Sequence, residues 1–191
     1  QMPKGVPVAT VAIGPSGAMV IADFLNHRLR RVDNGTIATR AGNGRIGPIQ
    51  ASDGQVGTNI SLFFPKVATV DGSGNVYFID ANLIRKIDAS TGVLQTVAQS
   101  SGTAEALALD PSGVLFVATS SAVVGVGDHV YKVVNGSLVN VAGNTQKTFA
   151  GDGGPAASAS LNRPAGIAFD SAGNLYIADN GNRRVRRVDP A

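Results

Sequence analysis

One pattern, I-A-D-x-x-N-x-R-[LV]-R-R-V-D, occurs twice in this chain, over 21–33 and again over 177–189. Between these copies lie two looser ones. Tyr77-Phe-Ile-Asp80 leads into Ile84-Arg-Lys-Ile-Asp88, and Phe116-Val-Ala-Thr119 leads, after a longer gap, into His129-Val-Tyr-Lys-Val-Val134. Repetition of this kind means that each copy is one supersecondary unit, stable only when stacked on its neighbours. The upstream halves keep the same register. Gly17, Gly74, Gly113 and Gly173 each stand six residues before the anchor residue, and Asp71, Asp110 and Asp170 stand three before those glycines, with Gly14 in that place in the first copy. The anchors Asp23, Asp80, Thr119 and Asp179 are unevenly spaced, so the insertions are loops on a regular core.

Each copy reads as strands. They are Val8–Ile13, Met19–Asp23, Arg28–Val32 and Thr36–Arg40, then Val67–Val70, Val76–Asp80, Leu83–Ile87 and Val93–Val97. The third copy gives Ala104–Leu109, Leu115–Thr119, His129–Val134 and Ser137–Val141, and the fourth Ala165–Phe169, Leu175–Asp179 and Arg183–Val188. Asp-x-x-Gly turns join the first strand to the second. The first two strands of each copy are apolar on both faces, which is the pattern of sheets covered on both sides. With 24 Gly, a single Glu (Glu105) and five Lys, turn formers far outnumber charged helix formers, which excludes a helical bundle or coiled coil. A chain of 191 residues buries a core without staples, and the absence of Cys excludes disulfide scaffolds, thiolate zinc sites and cysteine nucleophiles. No apolar run reaches the 18 or so residues of a membrane span.

The segment from Gly151-Asp-Gly-Gly-Pro through Leu161-Asn-Arg-Pro-Ala-Gly-Ile-Ala-Phe to Asn182-Arg-Arg-Val-Arg-Arg-Val188 closely resembles the NHL repeat of bacterial proteins. Four copies cover nearly the whole chain, over about 7–43, 65–99, 104–144 and 164–191. The resemblance implies an all-β β-propeller, usually of six blades. Four blades are visible and the last lacks its outer strand, which Gln1–Pro7 are too few and too rich in Pro and Gly to supply. The expectation is a single domain or fragment belonging to a larger ring, able to self-associate through its end blades.

The net charge is +3 and the pI about 9.5, which would suit an anionic partner. Seven of the eleven Arg, however, sit in the two strong copies of the repeat, and without them the formal charge turns negative. Asp23, Asn26 and Arg28, like Asp179, Asn182 and Arg184, therefore read first as architecture. Arg184 is expected to reach back to Asp179, and Arg28 to Asp23, as part-buried ion pairs. The second copy is two residues shorter at this turn, which should be tighter and lack the Arg. The only two histidines, His27 and His129, cannot complete the three-His zinc set of the lyase branch of propellers that the resemblance brings to mind. His27 is expected to be solvated. No catalytic residue, metal ligand or cofactor is assigned, and no nucleophile motif is present.

Topology places the long segments 42–64, 120–128 and 143–162 on one face, where such scaffolds put binding loops. Two of these loops are related. Both follow Ala-Gly-Asn, and Asp53-Gly54 and Asp152-Gly153 each lie twelve residues before a Pro, Pro65 and Pro164. Arg45, Asp53, Lys147, Phe149, Asp152 and Asn180 are the candidate binding residues. Phe63, Phe64 and Phe149 read equally as contact residues or as plugs between blades, and the Asp-Gly pairs as turn chemistry. One Asp per loop supplies too few oxygens for calcium. The expected function is a non-enzymatic scaffold for a protein or glycan, with an extracytoplasmic location favoured by the low charged fraction. A lactonase-like or lyase-like propeller enzyme completed by absent blades is the alternative. RNA binding, which some animal NHL propellers show, is a minor one, since no aromatics interleave the Arg.

Overall fold

A computed structural model describes residues 10–47, 53–123 and 126–190. Its regular structure is β-strand apart from four short 3-10 turns. The first sheet is β1 (Val11–Ile13), β2 (Met19–Asp23), β3 (Arg28–Asp33) and β4 (Thr36–Ala41). The second is β5 (Pro65–Val70), β6 (Val76–Asp80), β7 (Leu83–Ile87) and β8 (Leu94–Gln99). The third is β9 (Thr103–Leu109), β10 (Leu115–Ser120), β11 (His129–Val134) and β12 (Ser137–Ala142), and the fourth is β13 (Pro164–Phe169), β14 (Leu175–Asp179) and β15 (Arg184–Val188). In every sheet the strands neighbour one another in sequence order, and the pairings are antiparallel. These are the strands read from the sequence, within a residue or two. The start of the expected first strand, Val8, and the segment Gln1–Pro7 lie outside the described residues. Arg183 does not open β15, because its backbone is left-handed (φ 55°).

The chain divides into two compact units, residues 1–96 and 97–191. In the first unit, β5 of the second sheet packs on β1 and β2 of the first. The core is built from alternate residues of those sheets, with Leu29, Phe78 and Ile87 fully buried. Ile60 and Leu62, from the long connection before β5, complete it. In the second unit β13 packs on β9 and β10, around Ala118, Val130 and Ile177, and Leu161 from the corresponding connection fills the same role as Leu62. Burial of several such side chains at about 1.5–3 kcal/mol each anchors the second half of each long loop.

The turns joining the first two strands show why Asp and Gly recur there. Gly17, Gly74, Gly113 and Gly173 all have φ between 80° and 87°, which only glycine adopts without cost. The Asp three residues earlier accepts hydrogen bonds from the backbone N–H groups two and four residues on. In the last blade these are Ala172 and Asn174 to Asp170 Oδ1, at 3.0 and 2.9 Å.

Candidate functional site

The long connections are organised by two polar devices, and both recur. The first begins with the Asn of Ala-Gly-Asn. Asn43 Oδ1 accepts from the backbone N–H of Arg45 at 2.9 Å and from the Ser61 hydroxyl at 3.2 Å, while Asn43 Nδ2 donates to the Asn59 carbonyl at 3.3 Å. Asn144 repeats all three bonds with Gln146, Ser160 and Ser158, at 2.8, 3.2 and 2.6 Å. One amide thus closes each loop upon itself. The sequence showed the Ala-Gly-Asn coincidence but not its work.

The second device corrects the expected ion pairs. Asp179 is fully buried, and its cation is Arg186, with Nη1 3.7 Å from Oδ2. Arg184 points elsewhere, its guanidinium 3.6 Å from the centre of the Phe149 ring. Arg184 is opposite Asp179 in the β14–β15 register, but the Phe149 ring takes its guanidinium, and Arg186, two residues further along the same face, reaches the carboxylate. Arg186 also takes a second carboxylate, Asp152 Oδ1 at 2.5 Å, and donates to the Ser160 carbonyl at 2.8 Å. In the second blade Arg85 stands in the same place, 3.4 Å from Asp80 and 3.7 Å from Asp53. The shortened copy therefore did not lose its functional Arg. It lost two turn residues, and β6 turns into β7 through Ala81 and Asn82 alone, with Ala81 at φ 57°. In the first blade no Asp23–Arg28 pair forms either. Asp23 Oδ1 accepts from Asn26 at 2.9 Å, and Arg28 donates to the carbonyls of Asn26 and Asn43 at 3.1 and 2.9 Å.

An Asp–Arg–Asp rung thus ties each Asp-Gly loop to the blade it precedes. Asp80 also accepts from the backbone N–H groups of Phe63 and Phe64, at 2.8 and 2.9 Å. Burial pushes its carboxyl above the ordinary carboxylate value, and the amide bonds and Arg85 only partly offset that. In the second unit the same two amides are divided. Asn162 N–H goes to Asp179 Oδ1 at 2.8 Å and Arg163 N–H to Asp128 Oδ2 at 2.6 Å. Asp128 is fully buried and receives Lys147, whose Nζ lies 3.6 Å away and donates to the Ser121 carbonyl. Thr119 occupies the anchor position of the third blade, and Asp128, just before β11, also accepts from the backbone N–H of Ser121 at 2.8 Å.

The six candidate binding residues are therefore placed differently. Asp53 and Asp152 belong to the rungs, and Lys147 neutralises a buried carboxylate. Arg45 and Asn180 are exposed, and Phe149 is 40% exposed beneath Arg184. Phe64 instead stacks on Phe24 at a centroid distance of 4.8 Å, and Phe63 meets the Phe64 ring edge-on at 4.7 Å. His27 is not solvated. It is buried, its Nδ1 donates to the Phe63 carbonyl at 2.5 Å, and its ring packs 5.0 Å from Phe64. The equivalent Arg183 has the same left-handed backbone (φ 55° against 51°) yet is exposed, so it is the contacts with Phe63 and Phe64, distant in sequence, that hold the His27 ring inward. Among the described residues no three of His, Asp and Glu are grouped so as to hold a metal ion. No helix there is long and apolar enough to cross a membrane.

Residues 161–187 match the NHL repeat model, and residues 46–113 match the teneurin NHL domain model. The chain belongs to the NHL-repeat β-propeller family. Chicken teneurin-1 is 30% identical over 178 residues, which is 80% of this chain, and zebrafish teneurin-3 is 24% identical over 160 residues. The chain spans only 6% of the length of either relative. Among solved structures, a gluconolactonase from Xanthomonas campestris superposes with TM-score 0.61 at 15% identity, covering 95% of this chain and 62% of its own. A streptogramin B lyase does so with TM-score 0.61 at 13% identity, covering 97% of this chain and 53% of its own. At such identities the likeness is one of propeller fold.

Proposed function

We propose that this NHL propeller is a non-enzymatic module that binds a protein or glycan through the loops entering its blades. The observation that carries this reading is the Phe149–Arg184 stack. An aromatic ring and a guanidinium already in contact at 3.6 Å, on a loop clamped by Asn144 and the Asp152–Arg186 rung, form a preorganised platform. Such a platform spends little ordering entropy on binding and can stack on a sugar face or anchor a peptide side chain. Asn180 lies on the exposed 3-10 turn just before Arg184 and adds a polar rim. In the other unit Arg45, held by Asn43, offers a second exposed cation. An extracytoplasmic location fits this role and the low charge density.

The enzyme reading has one specific support, since two of the similar folds are described as a gluconolactonase and a lyase. One experiment separates the two. The biotinylated chain is screened on a glycan array and an ectodomain panel, beside the Phe149→Ala/Arg184→Ala variant. Loss of at least tenfold in signal at an unchanged Tm is expected. Retained binding by the variant overturns the reading, and metal-dependent hydrolysis of gluconolactone by the chain would put the enzyme in its place.

A further inference from the structure

Asn-Gly occurs four times in the chain, at 34–35, 43–44, 135–136 and 180–181. This dipeptide is prone to lose its side-chain amide, because glycine has no Cβ to hinder attack by its own nitrogen. The glycine N bonds to the Asn Cγ, the Cγ–Nδ2 bond breaks, and ammonia leaves with the glycine's amide proton. Water then opens the five-membered imide at either carbonyl and gives aspartate or isoaspartate. One water enters and one ammonia leaves, so the step needs no further reactant. It does need a side chain free to turn and a glycine N–H that is not already donating.

The fold meets those conditions at two pairs and denies them at the other two. Asn43 is held at both of its side-chain atoms. Its Oδ1 accepts from Arg45 N–H and the Ser61 hydroxyl, and its Nδ2 donates to the Asn59 carbonyl. At Asn180 the glycine is the held member. Gly181 N–H donates to the Asn162 carbonyl at 2.7 Å, and the Asn180 carbonyl accepts from Arg183 N–H at 3.0 Å. Asn34 and Asn135 stand instead in two-residue turns, closed by the pairs Asp33–Thr36 in β3–β4 and Val134–Ser137 in β11–β12. Both asparagines and both glycines are exposed. Among the described residues neither asparagine side chain makes a hydrogen bond, and neither Gly35 nor Gly136 donates its N–H. Asn34 and Asn135 have left-handed backbones, at φ 46° and 49°. Attack requires them to leave that conformation, and the tip of a hairpin is where such opening is easiest. The two classes also lie at opposite ends of their strands. Asn43 and Asn180 follow β4 and β14, at the end where the long loops enter, and Asn34 and Asn135 follow β3 and β11, at the other end.

We propose that Asn34 and Asn135 are sites of spontaneous deamidation in the folded protein, while the fold keeps Asn43 and Asn180 as amides. Each conversion lowers the net charge of +3 by one and sets a carboxylate at the end of the blade away from the long loops. Isoaspartate also adds a methylene to the main chain of a turn whose length fixes the pairing of its two strands. The full chain is incubated at pH 8.5 and 37 °C, folded and in guanidinium chloride, beside the Ser61→Ala chain. Tryptic peptides 32–40, 41–45, 133–147 and 148–183 carry one Asn-Gly pair each and are followed by mass spectrometry, with isoaspartate read by enzymatic methylation. In the folded chain Asn34 and Asn135 should convert faster than Asn43 and Asn180 by about tenfold, the effect of one local lock. In guanidinium chloride the four rates should converge, and Ser61→Ala should speed Asn43 while leaving Asn135 unchanged. Equal rates at all four pairs in the folded chain overturn the proposal. So do hairpin pairs that stay intact in the folded chain while they convert in the unfolded one.

Discussion

A single carboxylate in this chain is worth what surrounds it, and the twelve Asp divide accordingly. Asp80 is buried with Arg85, which is 1% exposed, so neither charge has water to fall back on. Arg85→Leu should cost about 3–5 kcal/mol in urea unfolding, because it strands Asp80 in the interior. Arg186→Leu should cost a comparable amount, since it strands the fully buried Asp179, while Asp152, like Asp53 in the other rung, remains solvated. The turn Asp behave oppositely. The side-chain amide of Asn174, then its backbone N–H, holds the Asp170 carboxyl below the ordinary 3.8. A carboxylate whose pKa falls on folding supports the folded chain above about 3.8 and loses that support as pH drops through its folded value. Asp170→Asn should therefore lower Tm at pH 7, with the gap to the parent closing as the pH falls below the ordinary 3.8 and through the lowered folded value. Thermal melts from pH 2 to 7 decide it, and a gap that does not change with pH would remove Asp170 from the acid transition.

At the scale of the element, turns and loops explain both what was legible and what was not. The Asp-x-x-Gly turns were legible because the residue types name the backbone angles they serve. The strands were legible because short Val-rich and Ile-rich runs alternate with those turns. The long loops were not, because their order comes from contacts distant in sequence. Asn43 closing on Ser61 and Asp152 reaching Arg186 are invisible to local pattern. The Arg184 assignment failed for a related reason: spacing puts it opposite Asp179, but Phe149, from a loop distant in sequence, takes its guanidinium and Arg186 is the cation at Asp179. His27 failed because its partners, Phe63 and Phe64, lie far away in the sequence. Glycines separate the two kinds of constraint. Gly17 (φ 80°) has open space around it, so Gly17→Ala should cost about 1 kcal/mol for its backbone alone. Gly42 (φ 87°) lies where an added Cβ would stand 2.1 Å from the His27 carbonyl oxygen, so Gly42→Ala should cost well over about 2 kcal/mol. Chemical unfolding of the two variants side by side tests this, and equal losses would mean that the loop entrance yields to the methyl group.

The net charge of +3, taken over the whole molecule, suggests an anion-binding surface, yet the arginines are largely committed. Arg31, Arg85, Arg186 and Arg187 face carboxylates, and Arg28 and Arg40 donate to carbonyl groups. Among the described residues, exposed cations without a carboxylate remain at Arg45 in one unit and at Lys132, Arg163, Arg183 and Arg184 in the other. Arg184 is already stacked on Phe149, so it presents a planar face rather than a free charge. A surface tracking a phosphate backbone needs many such cations in line, and 6–10 phosphate contacts would make affinity fall about 10³–10⁵-fold between 50 and 200 mM salt. With so few free cations in either unit, the chain should bind a labelled 20-mer of polyuridine weakly. The slope of log K against log salt should be no steeper than about −2 to −3, at about −0.7 per phosphate contact on a single strand. Anisotropy titrations at three salt concentrations give that slope directly. A value near −5 or steeper would mean that the arginines leave their carboxylates to meet RNA, and the minor reading of this propeller would become the leading one.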